Sequence, residues 1–410
     1  MNEILLRKYA RLAVRTGANI QPGQLLVINA SVKDHEFARM CAEEAYLAGA
    51  GEVLVDWSYE GLTLLSYTYC SIDTLTEIPD YIYDKRKYAQ DKGCAYLLIA
   101  SETPGLLADI DPEKIQASYI AAMKKLKPLQ EYTLASHGQW SVIAVPSVGW
   151  AKKVFPDKTE EDAVKALWEA ILMTVRIDEE NDPVVEWNKH NEKLSRYCEI
   201  LNDHNFEKLH FESSNGTDLY VGLVKNHVWK GGSGLTTGGI VFNPNMPTEE
   251  VFSMPDKNNV NGKVVATKPL SYSGKLIENF WLEFKDGKVV SHGAEKELET
   301  LTNLLDTDEG SRRIGEVALI SYDSPISLSN ILFYNTLFDE NASCHLALGQ
   351  AYPDNVKGGT EMTEEQLAEA GANASMNHVD FMFGSEDMKI TGIKADGKEV
   401  AVFEKGNFVF

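Results

Sequence analysis

The spacing of apolar residues changes part-way along the chain. Up to about residue 180, continuous apolar runs alternate with segments in which apolar residues recur at helical spacing. After about residue 205, apolar residues fall in short alternating segments that are separated by turns rich in Gly and Asn. The first pattern predicts a mostly parallel sheet covered by helices, and the second predicts a β-rich α+β structure.

Four apolar runs of the first region predict strands, at residues 24–30, 52–57, 95–100 and 141–146. Continuous apolar runs are typical of strands that are buried on both faces, as in parallel sheets. Helices are predicted at residues 1–17, 34–47, 79–92, 112–126, 159–175 and 184–202. The helix at 112–126 is expected to end just before Pro128. These elements together predict an α/β domain.

The second region contains shorter strand-like segments, at residues 210–212, 218–224, 263–267, 280–284 and 288–291. Asp286-Gly287 lies between the last two of them and is typical of the turn in a β-hairpin. The change of pattern falls between residues 180 and 205. We therefore predict an α/β N-terminal domain at 1–190 and an α+β, β-rich domain at 191–410.

Net charge limits the partners that the chain is expected to bind. The 410 residues include 39 basic and 61 acidic side chains, which gives a net charge of −22. Such a chain repels the phosphate backbone, and no basic patch offsets the repulsion, so nucleic acid is not expected as a partner. Hydrophobic residues make up 44 % and charged residues 24 %, which is typical of a globular protein and not of a disordered one.

Features that report on cellular location indicate the cytoplasm. Five cysteines are scattered without a CxxC pair, so neither a disulfide framework nor a cysteine zinc site is expected. The first 17 residues carry basic side chains where a secretory signal would need an apolar core. Apolar runs such as residues 95–100 are too short to cross a bilayer. A soluble cytoplasmic protein without a membrane partner is therefore expected.

Two sequence segments place histidines where they could bind metal. His378 and Asp380 flank Val379, and alternation along a strand would place both polar side chains on one face. They could then serve one metal or two adjacent metals, and the alternative is a polar pair on an exposed face. His345 precedes the apolar residues 346–348. The alternative for His345 is a hydrogen-bonded histidine of the core.

Two glutamates lie in unusual surroundings. Glu250 ends a turn rich in Pro and Asn, directly before apolar residues, although Thr248 and the acids after it could equally form a capped helix start. Glu316 opens an apolar strand with no charge partner beside it. Burying an unpaired carboxylate costs free energy, so a buried Glu316 would need a cation. A purely structural role for Glu316 is equally compatible with the sequence.

Together these residues form a set of oxygen and nitrogen ligands: Glu250, Glu316, His345, His378 and Asp380. Carboxylates and imidazoles without thiolates suit Zn²⁺, Mn²⁺ or Co²⁺ in a hydrolytic centre. A catalytic zinc usually has three protein ligands, so five are more than one ion needs. With one bridging carboxylate, five side chains can hold two metals about 3.5–4 Å apart.

The segments around these residues resemble the aminopeptidase T/aminopeptidase S family of cytosolic metallopeptidases. The similar stretches are AVPSVGWAKKVFP (144–156), NMPTEEVF (245–252), ATKPL (266–270), LISYDSPI (319–326), FYNTLFDENASCHLALGQAY (333–352) and NASMNHVDFMF (373–383). These stretches are long and specific, and the resemblance covers nearly the whole chain.

The resemblance implies roles for individual residues. It implies that the five ligands named above bind a pair of divalent metal ions, which would be Zn²⁺, Co²⁺, Mn²⁺ or Mg²⁺. Tyr352 occupies the family's active-site tyrosine position, where a phenol could ligate weakly or donate a hydrogen bond to an oxyanion. The alternative for Tyr352 is a structural aromatic residue. Glu340 is a candidate general base or extra ligand, and Glu249 is a rival for the base role.

The expected function follows from the ligand set and the resemblance together. It is metal-dependent removal of N-terminal residues from short peptides, with a two-metal activated water as the attacking group. The alternatives are a binuclear metal hydrolase acting on another amide or ester, and an inactive peptide-binding protein. The ligands would make residues 191–410 the metal-binding catalytic domain. The family further implies a homodimer with an enclosed catalytic chamber.

Overall fold

In the computed structural model, the described residues 2–410 form two compact units. The first unit contains the residues up to His190 together with Ser233–Pro247, and the second contains Asn191–Gly232 and Thr248–Phe410. The segment Ser233–Pro247 therefore belongs to the first unit, although the second unit flanks it in the sequence. Met1, the first residue of the predicted helix 1–17, lies outside the described residues.

The α-helices of residues 2–410 are α1 (Glu3–Leu12), α2 (His35–Leu47), α3 (Glu60–Tyr69), α4 (Ile72–Thr76), α5 (Asp80–Asp91), α6 (Pro112–Leu134), α7 (Val148–Val154), α8 (Glu160–Thr174), α9 (Pro183–His204), α10 (Leu298–Leu305), α11 (Pro325–Ser329), α12 (Thr336–Asp339) and α13 (Glu364–Glu369). The first of them continues as a π-helical turn, Ala13–Gly17. Within this part of the chain, no helix is both long and apolar enough to cross a membrane.

The strands are β1 (Leu25–Ser31), β2 (Glu52–Ser58), β3 (Ala95–Ala100), β4 (Trp140–Ala144), β5 (Lys208–Glu212), β6 (Asp218–Leu223), β7 (Lys230–Gly231), β8 (Gly234–Leu235), β9 (Val241–Phe242), β10 (Val251–Ser253), β11 (Pro255–Val265), β12 (Leu270–Tyr272), β13 (Lys275–Ile277), β14 (Trp281–Lys285), β15 (Lys288–Gly293), β16 (Ile314–Leu319), β17 (His345–Gly349), β18 (His378–Met382), β19 (Lys389–Ile393), β20 (Glu399–Glu404) and β21 (Asn407–Phe408).

The first unit is built on a four-stranded sheet in the order β2-β1-β3-β4, in which all neighbouring strands are parallel. These strands lie within two residues of their predicted positions, and α2 packs on β1 and β2. The segment Ser233–Pro247 is hydrogen-bonded to β4, since the N–H of Val142 donates to the carbonyl of Pro244 at 2.7 Å. The predicted α/β class of this region is confirmed.

The helix predictions of the first unit are wrong at two points. α6 does not end before Pro128 but continues to Leu134. Proline removes one helical hydrogen bond and usually ends a helix nearby, but the last turn here is held from outside, because the hydroxyl of Tyr132 donates to the carbonyl of Cys94 at 2.7 Å. The sequence also failed to predict α3, α4 and α7. Neither α3 nor α4 has a buried residue, so neither has a clear apolar stripe. The third, α7, has only seven residues, which are too few to show a helical period.

The second unit contains two larger antiparallel sheets. One has eight strands in the order β15-β14-β11-β6-β5-β19-β20-β21, and the other has five in the order β18-β17-β16-β10-β7. The predicted hairpin at Asp286-Gly287 is confirmed, since it joins the antiparallel strands β14 and β15. Both turn residues have positive φ angles, 50° and 78°, as the common two-residue hairpin turn requires. The predicted β-rich class of this region is also confirmed.

One face of each sheet contributes to a common apolar core in the second unit. The rings of Phe211 in β5 and Phe383 lie 5.2 Å apart, and those of Phe280 and Phe381 in β18 lie 5.6 Å apart. Because side chains alternate along a strand, one face of the five-stranded sheet packs in this core and the other is available for polar residues.

Candidate metal centre

Four of the five candidate ligands lie on one face of the five-stranded sheet. Ala347 of β17 pairs with Glu316 of β16 on one side and with Asp380 of β18 on the other. Directly paired residues point to the same face, and so do residues two apart on one strand. His345 is two residues from Ala347, and His378 is two residues from Asp380. All four polar side chains therefore project from the same face, which we call the ligand face.

Glu250 reaches the ligand face from the start of β10. Val251 pairs with Leu319 of β16, and both are buried in the apolar core, so the residue before Val251 points to the opposite side. Oε2 of Glu250 lies 3.3 Å from Nε2 of His345. The alternative of a capped helix start at Thr248 is wrong, because a strand follows at this point.

The residues between the ligands on this face are small. Ala318 pairs with His345, Ala347 lies between Glu316 and Asp380, and Gly349 pairs with His378. The residues on the opposite face are large and buried in the core, and they include Val317, Leu319, Leu346, Leu348 and Phe381. The sheet therefore supports a packed core on one face, and only small side chains lie between the ligands on the other.

A β-bulge at Gly315 brings Glu316 onto the ligand face. Ile314 pairs with a core-facing residue of β17, whereas Glu316 pairs with the ligand-facing Ala347, so the register shifts between them. One extra residue reverses the alternation of faces beyond it. A side chain at Gly315 would collide with main-chain carbonyl oxygens at the end of β17. Glycine is therefore needed for the backbone approach that gives Glu316 its orientation.

The ligand atoms form two overlapping groups of three. Nε2 of His345 lies 3.3 Å from Oε1 of Glu316 and 3.3 Å from Oε2 of Glu250. Nε2 of His378 lies 3.5 Å from Oδ1 of Asp380 and 4.0 Å from Oε2 of Glu316. In each group the three ligand atoms lie within 4.8 Å of one another. Glu316 belongs to both groups and faces each with a different oxygen.

Burial and crowding shift the pKa values of these groups. Burial raises the pKa of Glu250 to about 8, although His345 opposes the shift. Burial also raises the pKa of Glu340 well above its ordinary value, and the neighbouring carboxylates add to this. For His345, burial alone would lower the pKa, but Glu316 and Glu250 raise it to about 10. For His378 too, burial alone would lower the pKa, but the hydrogen bond and the charge of Asp380 raise it to about 9.

The residues of this centre fit divalent metal ions. Carboxylates crowded in a buried site cost free energy unless cations balance them. Nδ1 of His378 donates to the carbonyl oxygen of Gln350 at 2.7 Å. This bond fixes the tautomer and leaves the lone pair of Nε2 directed toward the carboxylates, as in histidines that bind metals. The donor set of oxygen and nitrogen, without sulfur, suits Zn²⁺, Mn²⁺ or Co²⁺.

Tyr352 and Glu340 lie beside the ligands. The ring of Tyr352 packs on the imidazole of His378 with centroids 4.6 Å apart, and 41 % of the tyrosine is exposed. Burial, followed by the carboxylates of Glu316 and Asp380, raises the pKa of its phenol. Glu340 begins a short 3₁₀ turn, Glu340–Ala342, and is half-buried. The structure therefore brings both candidates close to the five ligands.

The sequence did not reveal the residues that hold these segments in place. Asn373 is buried, and its Nδ2 donates to the carbonyl oxygens of Gly310 at 2.8 Å and Gly349 at 2.6 Å. These bonds fix the loop that leads into His378 against the end of β17. The stretch NASMNH carries a family resemblance, but nothing in its residue types indicates which asparagine is buried.

Asn341 connects the two acidic segments. Its Oδ1 accepts the N–H of Glu249 at 2.8 Å, and its Nδ2 donates to Oε1 of Glu340 at 3.4 Å. It is fully buried, so these bonds form away from water and position both segments. Glu249 is also buried, directly before the ligand Glu250.

Comparison of the sequence and fold with known proteins shows the family of this chain. The profile of the thermophilic metalloprotease (M29) family matches residues 2–408. The chain belongs to the M29 family. Aminopeptidase 2 of Geobacillus stearothermophilus is 46 % identical to it over 405 residues, which cover 99 % of this chain and 98 % of that protein. Aminopeptidase AmpS of Bacillus subtilis (strain 168) is 45 % identical over 405 residues, with the same coverage.

A solved M29 relative shares the whole fold. The structure of wild-type AmpT from Thermus thermophilus matches with a TM-score of 0.93 at 38 % identity, and the match covers 100 % of both chains. The resemblance drawn from the sequence and the predicted fold class are both confirmed. As a member of the M29 family with relatives named as aminopeptidases, this protein is a metallo-aminopeptidase, which uses divalent metal and acts on peptides.

Proposed function

We propose that this M29 aminopeptidase holds two divalent metal ions and removes N-terminal residues from short peptides. The observation that carries the proposal is the pair of ligand groups that share Glu316. Its Oε1 lies 3.3 Å from Nε2 of His345, and its Oε2 lies 4.0 Å from Nε2 of His378. A carboxylate with one oxygen on each side is suited to bridge two ions.

The remaining ligands would complete the two sites on either side of Glu316. Glu250 and His345 would hold one ion, and His378 and Asp380 would hold the other. Bound there, Zn²⁺, Co²⁺, Mn²⁺ or Mg²⁺ would activate a water molecule and polarise the scissile carbonyl group. Two divalent ions would also balance the charge of the four neighbouring carboxylates, those of the three ligands and of Glu340.

Tyr352 is proposed to stabilise the negative charge that develops on the substrate carbonyl oxygen. Its phenol has a raised pKa because of burial and the neighbouring carboxylates, so it keeps its proton at neutral pH and can donate a hydrogen bond. The contact with His378 restrains the ring beside the ligands. Removing one donor to an oxyanion typically lowers the rate by about 10²–10³-fold.

Glu340 is proposed to move the proton from the attacking water to the leaving amine. Burial, and then the charge of Glu250, raises its pKa. A raised pKa brings a carboxyl group closer to the range in which it both accepts and releases protons at neutral pH. Glu249 is the alternative for this role. Like Glu340, it is hydrogen-bonded to Asn341, which accepts its N–H.

The proposed function also assigns roles to the two parts of the chain, an oligomeric state and a cellular location. The five ligands, Tyr352 and Glu340 all belong to the second unit, which supports residues 191–410 as the catalytic domain and 1–190 as a separate α/β domain. Resemblance to the aminopeptidase T/aminopeptidase S family is the reason for proposing a homodimer. The scattered cysteines support a cytoplasmic location, and the net charge of −22 argues against nucleic acid as a partner.

The experiment is an activity assay on metal-stripped protein, repeated after addition of Co²⁺, Mn²⁺, Zn²⁺ or Mg²⁺. The substrates are dipeptides and aminoacyl amides, each with a free and with an N-acetylated amine. We expect cleavage that requires both metal and a free α-amine. Preferential cleavage of the acetylated substrates would favour another metal hydrolase, and bound metal without any cleavage would favour a peptide-binding protein.

Metal counting on matched variants tests the two-ion part of the proposal. Glu316→Gln removes the shared carboxylate, whereas Glu283→Gln changes an exposed glutamate of β14 in the same unit. Elemental analysis should find two ions per chain in the wild type and in Glu283→Gln, and fewer in Glu316→Gln. Undiminished metal content and activity in Glu316→Gln would contradict the assignment.

A further inference from the structure

Lys268 belongs to the stretch ATKPL, to which the proposed mechanism assigns no role. Its side chain is half-buried, and Nζ donates to Oδ1 of Asn330 at 3.2 Å. Among residues 2–410, no carboxylate oxygen lies within the 4 Å that would make an ion pair with it. By contrast, Nζ of Lys230 in the same unit lies 2.9 Å from Oδ2 of Asp354. Lys268 is therefore a partly desolvated cation with only a neutral hydrogen-bond partner.

The backbone beside Lys268 is attached to the strand that carries two ligands. The N–H of Thr267 donates to the carbonyl of Met382 at 2.9 Å, and its hydroxyl donates to the carbonyl of Gly384 at 2.8 Å. Met382 of β18 pairs in turn with His345 of β17. These bonds hold Thr267 beside β18, which is an edge strand of the five-stranded sheet, so Thr267 lies about two strand spacings, or ~10 Å, from the strand of His345.

The head of Lys268 lies on the side of the centre where Glu340 is found. Asn330, which accepts its hydrogen bond, directly follows α11. That helix and β18 both pack against the turn Glu340–Ala342. Asp339, the residue before Glu340, is buried and is close enough to Lys268 for their charges to interact. The ammonium is thus held near the turn that carries Glu340.

The charge balance of the centre indicates which group the Lys268 ammonium could bind. The three ligand carboxylates and Glu340 together carry as much charge as two divalent ions, so the ions would leave little positive charge for a further anion. A peptide of two residues spans about 7 Å when extended, and its C-terminal carboxylate would end near the cation at the edge of the sheet. A carboxylate pairs favourably with an ammonium that has already lost much of its water.

We propose that Lys268 binds the C-terminal carboxylate of short peptide substrates. The inference rests on the proposed function, because it requires the substrate's first peptide bond to lie at the ligand face. It makes Lys268 a specificity-determining residue, which favours substrates whose free carboxylate lies one or two residues beyond the scissile bond. Longer peptides and C-terminal amides would not make this contact.

The test compares leucyl-alanine with leucyl-alanine amide, which differ only in the C-terminal charge. Wild-type protein should cleave the acid about 10- to 100-fold more efficiently than the amide, as expected for one charge-assisted hydrogen bond. Lys268→Met should remove this preference by raising KM for the acid, while kcat/KM for the amide and the metal content stay unchanged. Lys268→Arg should keep most of the preference, and Lys285→Met, a change at an exposed lysine of β14, should keep all of it.

Other outcomes separate this inference from the proposed function. Equal efficiency of wild type on the acid and the amide would overturn it, and so would a Lys268→Met variant that loses activity on both substrates equally, as expected if Lys268 only balances Asp339. Wild-type protein that cleaves neither substrate with metal bound would refute the proposed function itself, and the role of Lys268 with it.

Discussion

Metal-stripped protein should lose stability as the pH rises from 7 to 8. In the folded metal-free chain, the pKa of Glu250 is raised from 4.5 to about 8, that of His345 from 6.5 to about 10, and that of His378 from 6.5 to about 9. At pH 7–8 the folded state therefore holds protons that the unfolded chain has released. Where the folded state binds more protons, the free energy of unfolding falls with pH.

The size of the effect follows from the number of excess protons. Each one lowers the free energy of unfolding by about 1.4 kcal/mol per pH unit. Glu250 and His345 lie 3.3 Å apart and share their protons, so the three groups count as fewer than three independent sites. With one to two excess protons, the metal-free protein should lose about 1.4–2.7 kcal/mol between pH 7 and pH 8.

Burial also raises the pKa of Asp339 to about 7 and that of Glu340 well above its ordinary value, so these two neighbours of the ligands add to the same fall in stability. The other groups with shifted pKa values act outside this window. Burial lowers the pKa of three histidines outside the centre, His204, His227 and His292, below 6.5. Their stability effect therefore lies below pH 6.5, where stability rises with pH. Burial raises the pKa of thiols such as Cys94 and Cys198 above 9, so these groups act only at higher pH. The slope between pH 7 and 8 should thus report on the metal centre together with the adjacent Asp339 and Glu340.

The assay is urea unfolding of chelator-treated and metal-loaded protein at pH 7.0, 7.5 and 8.0. Metal binds deprotonated ligands, so the stability gained from metal should grow with pH and offset the fall. Glu250→Gln should reduce the slope of the chelated protein, and the surface control Glu283→Gln should leave it unchanged. A chelated protein whose stability is constant or rises over this range would refute the assignment of excess protons to this centre.

Three further predictions concern single positions. Tyr352→Phe should lower kcat about 100-fold with metal content retained; unchanged kcat in a steady-state assay would make the tyrosine structural. Gly315→Ala should cost about 1–3 kcal/mol in a denaturation assay, because the new Cβ collides with carbonyl oxygens at the end of β17, and it should lower metal content; normal metal binding would show that the bulge is dispensable. Asn373→Ala removes hydrogen bonds to the carbonyl groups of Gly310 and Gly349 and should cost about 1–3 kcal/mol by the same assay, with weaker metal binding at His378; an unchanged unfolding midpoint would contradict this.

The sequence allowed the fold and part of the site to be predicted for physical reasons. The strands of the first unit are continuous apolar runs bounded by turns, and such runs are recognisable without knowledge of their partners. The shared face of His378 and Asp380 follows from alternation within one strand, and their positions on β18 agree with it. The periodicity of apolar and polar residues was therefore sufficient to predict those features that depend on one strand or helix alone.

Long-range pairing decided the parts that the sequence could not supply. Plain alternation places Ile314 and Glu316 on one face, yet the bulge at Gly315 sends Ile314 into the core and Glu316 to the ligands. The register between β16 and β17 is what reveals this shift, and the strands are separated by 25 residues that form no strand. The same limit applies to Asn373 and Asn341, whose partners are distant in the sequence.

The burial pattern of β16 links the stability of the fold to its chemistry. All six residues of this strand are buried, Glu316 among them. A buried carboxylate beside other acids opposes folding, and the apolar side chains of Val317 and Leu319 on the opposite face offset that cost in the core. Divalent ions would turn the same carboxylate from a destabilising group into a bridging ligand. The pH dependence predicted above therefore measures how far the crowded ligands of the whole centre destabilise the folded protein when the metals are absent.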